Sequence, residues 1–286
     1  MKHLYQVFVL ATFLLISTLS ISFAQRIGIG GRHLGVGGAS VTLQDGWAVF
    51  NNIGALAWLN QPTVMTAYEN RFSVAGLNTV AAGFAMPTLK SSAWGATIAH
   101  FGDNLYNEVD LGIGISHKIN TVSLGLKANY LQIAMEGLGT RSVFALEFGG
   151  LMQFTPTLFA ASHIYNFNQA QIANFQQEKL PTIMKAGISY RPLKNLLLNA
   201  DVLKNIDFPA TLRAGVEYKP IEKLAVRTGI NTAPFTASFG VGLQLFALQV
   251  DYALQTHSVL LPAHQFSLVY LLKKKKEKEK EKKKIE

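Results

Sequence analysis

The sequence predicts an all-β protein: a transmembrane antiparallel β-barrel of about fourteen strands, with a glycine-rich N-terminal plug carrying a short helix in its lumen. Three observations predict it. From Thr63 to Leu272 the chain breaks into segments of about ten residues with apolar side chains at every second position, the pattern of strands that face lipid on one side and a lumen on the other. The chain is 49% hydrophobic, yet after residue 24 no run approaches the ~18 apolar residues a membrane-spanning helix needs. One long stretch, Gly28 to Leu59, does not alternate and is crowded with glycine, as expected of a segment packed inside the wall.

Residues 1–24 read as a secretory signal peptide. The basic start MKHLYQ precedes an apolar run, and Ser22-Phe23-Ala24 places small residues where a signal peptidase cuts, after Ala24. Cysteine is absent, which excludes disulfides, thiolate chemistry and a lipid-modified N-terminal cysteine. Residues 25–62 form the expected plug. Its first half holds Gly35, Gly37 and Gly38; in its second half Asp45 is the expected cap of a short helix anchored by Trp47, Phe50, Leu56 and Trp58. No GxxxxGK[ST] or GxGxxG pattern is complete here, which argues against a phosphate cradle.

The wall, residues 63–272, divides into segments at about 63–72, 78–89, 92–104, 107–119, 121–135, 141–155, 157–169, 180–191, 195–207, 210–220, 223–233, 237–246, 248–257 and 264–272. Leu212, Ala214, Val216 and Tyr218 alternate with Arg213, Gly215 and Glu217; Leu248, Val250, Tyr252 and Leu254 alternate with Gln249, Asp251 and Gln255. A soluble half-buried sheet alternates too. Aromatic residues towards segment ends (Tyr130, Phe154, Tyr190, Tyr218, Phe239, Tyr270) and a small, polar opposite face favour lipid. Every second turn is short, at 87–91, 119–121, 155–157, 191–195, 219–223 and 246–247, whereas the longest loops, 168–180 and 256–264, fall in the other set. Short periplasmic turns and long outer loops are the usual asymmetry of such barrels.

The net charge of +9 suggests nucleic acid until it is located. Lys2 lies in the signal, and residues 273–286, KKKKEKEKEKKKIE, carry nine lysines and four glutamates, which leaves +3 for the body. That tail has too little apolar surface to fold and is expected to be disordered in the periplasm. No nucleic-acid partner is expected.

The lumen-facing set contains Asp110, Lys127, Glu147, Lys185, Asp201, Arg213, Glu217, Arg227 and Asp251. A Lys or Arg on the lipid face costs about 2–4 kcal/mol at mid-depth, so these charges belong inside, pairing with one another or bonding the plug backbone. A structural network and a polar ligand path are the two roles open to them. The histidines show no metal-ligand spacing and no nucleophile motif frames a serine, so no catalytic residue, metal or cofactor is expected.

Gly31-Arg32-His33-Leu34-Gly35-Val36-Gly37-Gly38-Ala39, then Asp45-Gly46 and Asn52-Ile53-Gly54-Ala55-Leu56-Ala57, resemble the N-terminal signature of PorV/PorQ-like outer-membrane proteins. The closing half is similar to the same family: Leu212 to Tyr218, Arg227-Thr228-Gly229, Gly240 to Leu243, Val250 to Ala253 and His264 to Tyr270. The resemblance implies a fourteen-stranded barrel like the long-chain fatty-acid transporter, in the outer membrane of Bacteroidetes-type bacteria. It also implies an accessory or docking role in type IX protein secretion or surface assembly. Partners would then be secretion-system or surface proteins on the outer loops or the lysine tail. Three departures stand against it: Ile53 replaces the usual proline, the chain is short for the secretion members, and a charged tail follows the last aromatic strand. The alternative is a channel for hydrophobic small molecules in which residues 28–59 form a movable hatch.

Overall fold

The computed structural model describes residues 28–88, 91–172 and 180–273. The expected signal peptide and all of the lysine-rich tail beyond Lys273 lie outside the described residues. Fourteen strands form one closed barrel. They are β1 (Thr63–Asn70), β2 (Asn78–Thr88), β3 (Ser92–Gly102), β4 (Tyr106–Ile119), β5 (Val122–Met135), β6 (Gly139–Thr155), β7 (Leu158–Tyr165), β8 (Ile183–Leu193), β9 (Leu196–Asn205), β10 (Thr211–Ile221), β11 (Leu224–Thr232), β12 (Phe235–Leu245), β13 (Leu248–His257) and β14 (Ala263–Leu271). Each pairs antiparallel with its sequence neighbours. The ring shuts where β1 meets β14, from Thr63 opposite Leu271 to Asn70 opposite His264. Closure leaves no unpaired strand edge, the condition for backbone to cross a bilayer.

The period of two fixes which side chains face lipid. On β10, Leu212 and Tyr218 are exposed while Glu217 between them is 3% exposed. A continuous apolar surface results, including Ile113, Leu126, Ile188, Val226, Val241 and Phe266. Of the aromatic residues expected at strand ends, Phe154, Tyr190, Tyr218 and Tyr270 lie near the short-turn end and are exposed. Tyr130 and Phe239 sit nearer mid-height, and Tyr130 stacks on its cross-strand neighbour Phe144 at 5.2 Å. They contribute apolar surface to the belt rather than to a girdle.

The strand bounds differ from the sequence expectation mainly at β7, which stops at Tyr165 rather than at residue 169. Asn166 takes a left-handed backbone conformation (φ 55°), and its side chain bonds Leu180 O and Ala170 N, so the chain turns there. The turns at Asn120 and Phe246, also left-handed, close the β4–β5 and β12–β13 hairpins with two residues each.

The plug departs more from expectation. Instead of one helix after Asp45 there are three short pieces: α1 (Gly31–Gly35), α2 (Ala48–Asn51) and a 3-10 segment over Ile53–Trp58. Asn52 is extended (φ −161°), which ends α2, and its Oδ1 accepts from Gly54 N, which starts the next piece. Asp45 does not cap α2. Its Oδ1 accepts from Trp47 N before the helix begins, and its other oxygen is turned to Arg32. The plug lies in the short-turn half of the lumen, where Trp47, Val49, Phe50, Ile53 and Leu56 pack on Met65, Leu151, Phe159 and Val269 of the wall.

Candidate functional site: the plugged lumen

Two seams of glycine let the plug backbone touch the wall. Gly215 and Gly229 are cross-strand partners on β10 and β11, and a Cβ on either would come within 2.3 Å of Val36 backbone. Gly240 continues this seam against Gly35. Across the lumen, Gly125 and Gly149 are partners on β5 and β6, and added Cβ atoms there would strike Ile53 backbone and the Asn52 side chain. Gly37 and Gly38, with positive φ of 66° and 79°, make the turn that lays the chain along the first seam.

The nine charged residues expected in the lumen all face inward, but they do not form one network. At β10–β13, Glu217 receives Arg32 of the plug through both carboxylate oxygens (2.7 and 2.8 Å) and Arg227 of β11 at 2.6 Å. Arg227 also donates to Asp251 at 2.6 Å, and Arg32 donates to Asp45 at 2.9 Å. This chain of alternating charge ties α1 to three strands. At β9–β10, Asp201 stands opposite Arg213 in register and accepts from Val41 N of the plug, while Gly38 packs beside the Arg213 guanidinium. At β5–β8, Glu147 accepts from Asn129 at 2.7 Å, contacts His163 Nε2 at 2.9 Å and lies 3.6 Å from Lys127 Nζ. Lys185 lines a small cavity beside that third group. Asp110 is buried on β4.

Further polar side chains hold the rest of the plug: Asn52, an expected plug residue, and Asn51, Ser116, Ser123 and Ser267, absent from the expected set. Ser116 and Ser123 both donate to Gly54 O, Ser267 Oγ accepts from Gly31 N, and Asn51 pairs with Ile29 through both its amide groups. Asn52 donates to Val41 O and Gly150 O while accepting from Gly54 N, so it joins both halves of the plug to β6. Asn52→Ala leaves these buried backbone groups unsatisfied at about 1–3 kcal/mol each. Hydrogen exchange at the Gly54 amide is expected to accelerate at least tenfold in that variant, while strand amides keep their protection.

His33 is buried in α1 and shares a hydrogen bond with Ser40 Oγ. Burial, then the charges of Lys185 and Arg213, holds its imidazole well below the usual histidine range. Above about pH 6.5 the ring is neutral whether the plug is seated or free. Below that, only the freed ring takes a proton, so seating weakens by up to about tenfold per pH unit. A protease-accessibility titration of the plug from pH 7 to 5 should show this loss, with a shallower slope in His33→Gln.

The cavity beside Glu147 is lined by Gly28, Phe50, His163, Tyr165, Ile183 and Lys185 and holds about 20 Å³, room for little more than a water molecule. Above it, on the β5–β9 side, the lumen turns apolar. Leu131, Val143, Tyr165, Ile183 and Leu203 form a cluster that Leu180, from the β7–β8 loop, closes from the outer end.

No protein-family description matches the chain, and no curated protein matches it in sequence. Its fold does have solved counterparts. A FadL homologue from Pseudomonas aeruginosa superposes with a TM-score of 0.60 at 13% identity, covering 83% of this chain and 97% of that one. The CymD monoaromatic hydrocarbon channel gives 0.63 at 11%, covering 88% and 100%. The toluene transporter TbuX of Ralstonia pickettii gives 0.61 at 12%, covering 85% and 97%. The last two are described as a channel and a transporter. At such identities the likeness is one of architecture, a closed fourteen-stranded antiparallel barrel.

Proposed function

We propose that this barrel passes small hydrophobic molecules across the outer membrane, with residues 28–59 as the gate. The observation that carries the reading is the apolar cluster at Leu131, Val143, Ile183 and Leu203, set in the lumen on the outer side of the plug. An apolar cluster in that place gives a hydrophobic solute a surface to meet before the plug. The plug backbone lies against both glycine seams of the wall, so passage along the lumen requires the plug to shift.

The cysteine-free chain permits a direct test. Ala57 N of the plug donates to Ser116 Oγ of β4, so Ala57→Cys with Ser116→Cys places two thiols across that contact. In proteoliposomes, toluene uptake by the doubly substituted barrel should stop on oxidation and return on reduction. Equal uptake by the locked and unlocked forms would eliminate the gate; no uptake above empty liposomes in either form would eliminate the channel.

The docking role in type IX secretion that the PorV/PorQ resemblance implies is supported by the two end motifs alone. Two of the structural counterparts named above are a channel and a transporter.

A further inference from the structure

The short-turn mouth of the barrel carries cations that the plug network does not use. Lys118 of β4 lies 3.5 Å above the ring of Trp58, the last residue of the 3-10 segment. Trp58 meets Phe159 of β7 edge-on at 5.7 Å, and the Arg191 guanidinium of β8 lies 5.5 Å from the Phe159 ring. Lys219 of β10 follows, near enough to Arg191 and Arg32 to feel both charges. Among the described residues no carboxylate is within ion-pair distance of Lys118, Arg191 or Lys219. Glu217, whose charge both Arg191 and Lys219 feel, is already engaged by Arg32 and Arg227. Lys118 and Arg191 are turned to the lumen, as their contacts with Trp58 and Phe159 show. The sequence adds nine more lysines directly after β14, which ends at this same mouth.

Two lysines and an arginine without a carboxylate partner, set beside the partly buried Trp58 and the Phe159 ring, are the chemistry of an interface anchor for acidic chains. We propose that the periplasmic mouth is a docking site for an acidic peptide segment of a periplasmic protein. Its carboxylates would pair with Arg191 and Lys219, and an apolar side chain would rest on Trp58. This site lies on the opposite side of the plug from the apolar cluster at Leu131 and Leu203 and does not depend on the transport reading.

The test uses the full chain in detergent micelles and a fluorescein-labelled decapeptide of glutamate and glycine with one central phenylalanine, the same peptide carrying a benzophenone for photo-cross-linking. The tail contributes equally to every variant, so differences report the mouth. Arg191→Ala with Lys219→Ala should weaken binding at least tenfold at moderate salt, whereas Lys194→Ala with Lys223→Ala, on turns of the same rim, should change it less than twofold. Heat-modifiable migration verifies that each barrel is folded. Cross-links should map beside Trp58 and Phe159. Equal affinity in the two pairs, or cross-links confined to the tail, would overturn the proposal. So would loss of peptide binding to competing peptidoglycan fragments that themselves depend on Arg191, because the partner would then be a polysaccharide.

Discussion

Glu217→Gln should free the first turn of the plug while leaving the wall shut. The Glu217 carboxylate is 3% exposed and holds Arg32 and Arg227 together. Removing one member of such a buried group costs about 3–5 kcal/mol, because the partners stay buried and undercompensated. The strand hydrogen bonds of β10 involve backbone and survive the change. The expected result is a loss of hydrogen-exchange protection at residues 31–38 by at least a hundredfold, with β10 and β11 amides unaffected. Adding Arg32→Gln should recover part of the loss, since Arg227 keeps Asp251 and the guanidinium left with Asp45 alone is gone. Uniform protection in Glu217→Gln would mean that the glycine seams alone hold the plug.

Gly229→Leu tests those seams from the wall side. A Cβ there would lie 2.2 Å from Val36 C and 2.3 Å from Gly37 N, and neither backbone atom can swing aside. The conflict exceeds the roughly 1–3 kcal/mol of side-chain overpacking. That is enough to raise the unseated population about a hundredfold, since each 1.4 kcal/mol is a factor of ten. Leucine is itself acceptable in a strand, and the lipid-facing residues 228 and 230 are untouched. Single-channel recordings in planar bilayers should therefore show a folded barrel that is frequently conducting, against a mostly silent parent. A silent, folded Gly229→Leu barrel would show that the plug can retreat from this seam and still block the lumen.

The wall was legible in the sequence because its signal is local. Each strand announces its inward and outward faces within about ten residues, and an apolar belt with a small polar opposite face distinguishes lipid from water. Even the inward charges followed, since parity alone decides which side of the sheet they take. The plug was legible only as an exception to that pattern. Its conformation depends on partners far along the chain: Arg32 sits among glycines in the sequence and gains its role from Glu217, 185 residues away. Ser116, Ser123 and Ser267 read as ordinary small lumen positions until the register brings them to Gly54 O and Gly31 N. The glycines of the wall are similar. Gly215, Gly229 and Gly240 look like weak points in strands, and only the pairing of β10 to β12 turns them into a continuous seam.

The contact between Gly31 and Ser267 spans 236 residues, so the first part of the plug is held by the last strand to be made. Chains whose decisive contacts join distant positions fold slowly, because the connecting loop must be ordered before the contact forms. Here α1 cannot find its seat until β11 to β14 exist, and β14 is also the strand that closes the ring against β1. Filling and closing therefore belong to one late event in assembly. A ring that shuts around an unseated N-terminus traps that segment on the wrong side of its own wall, so the order of these two steps decides between a sealed membrane and a leaking one.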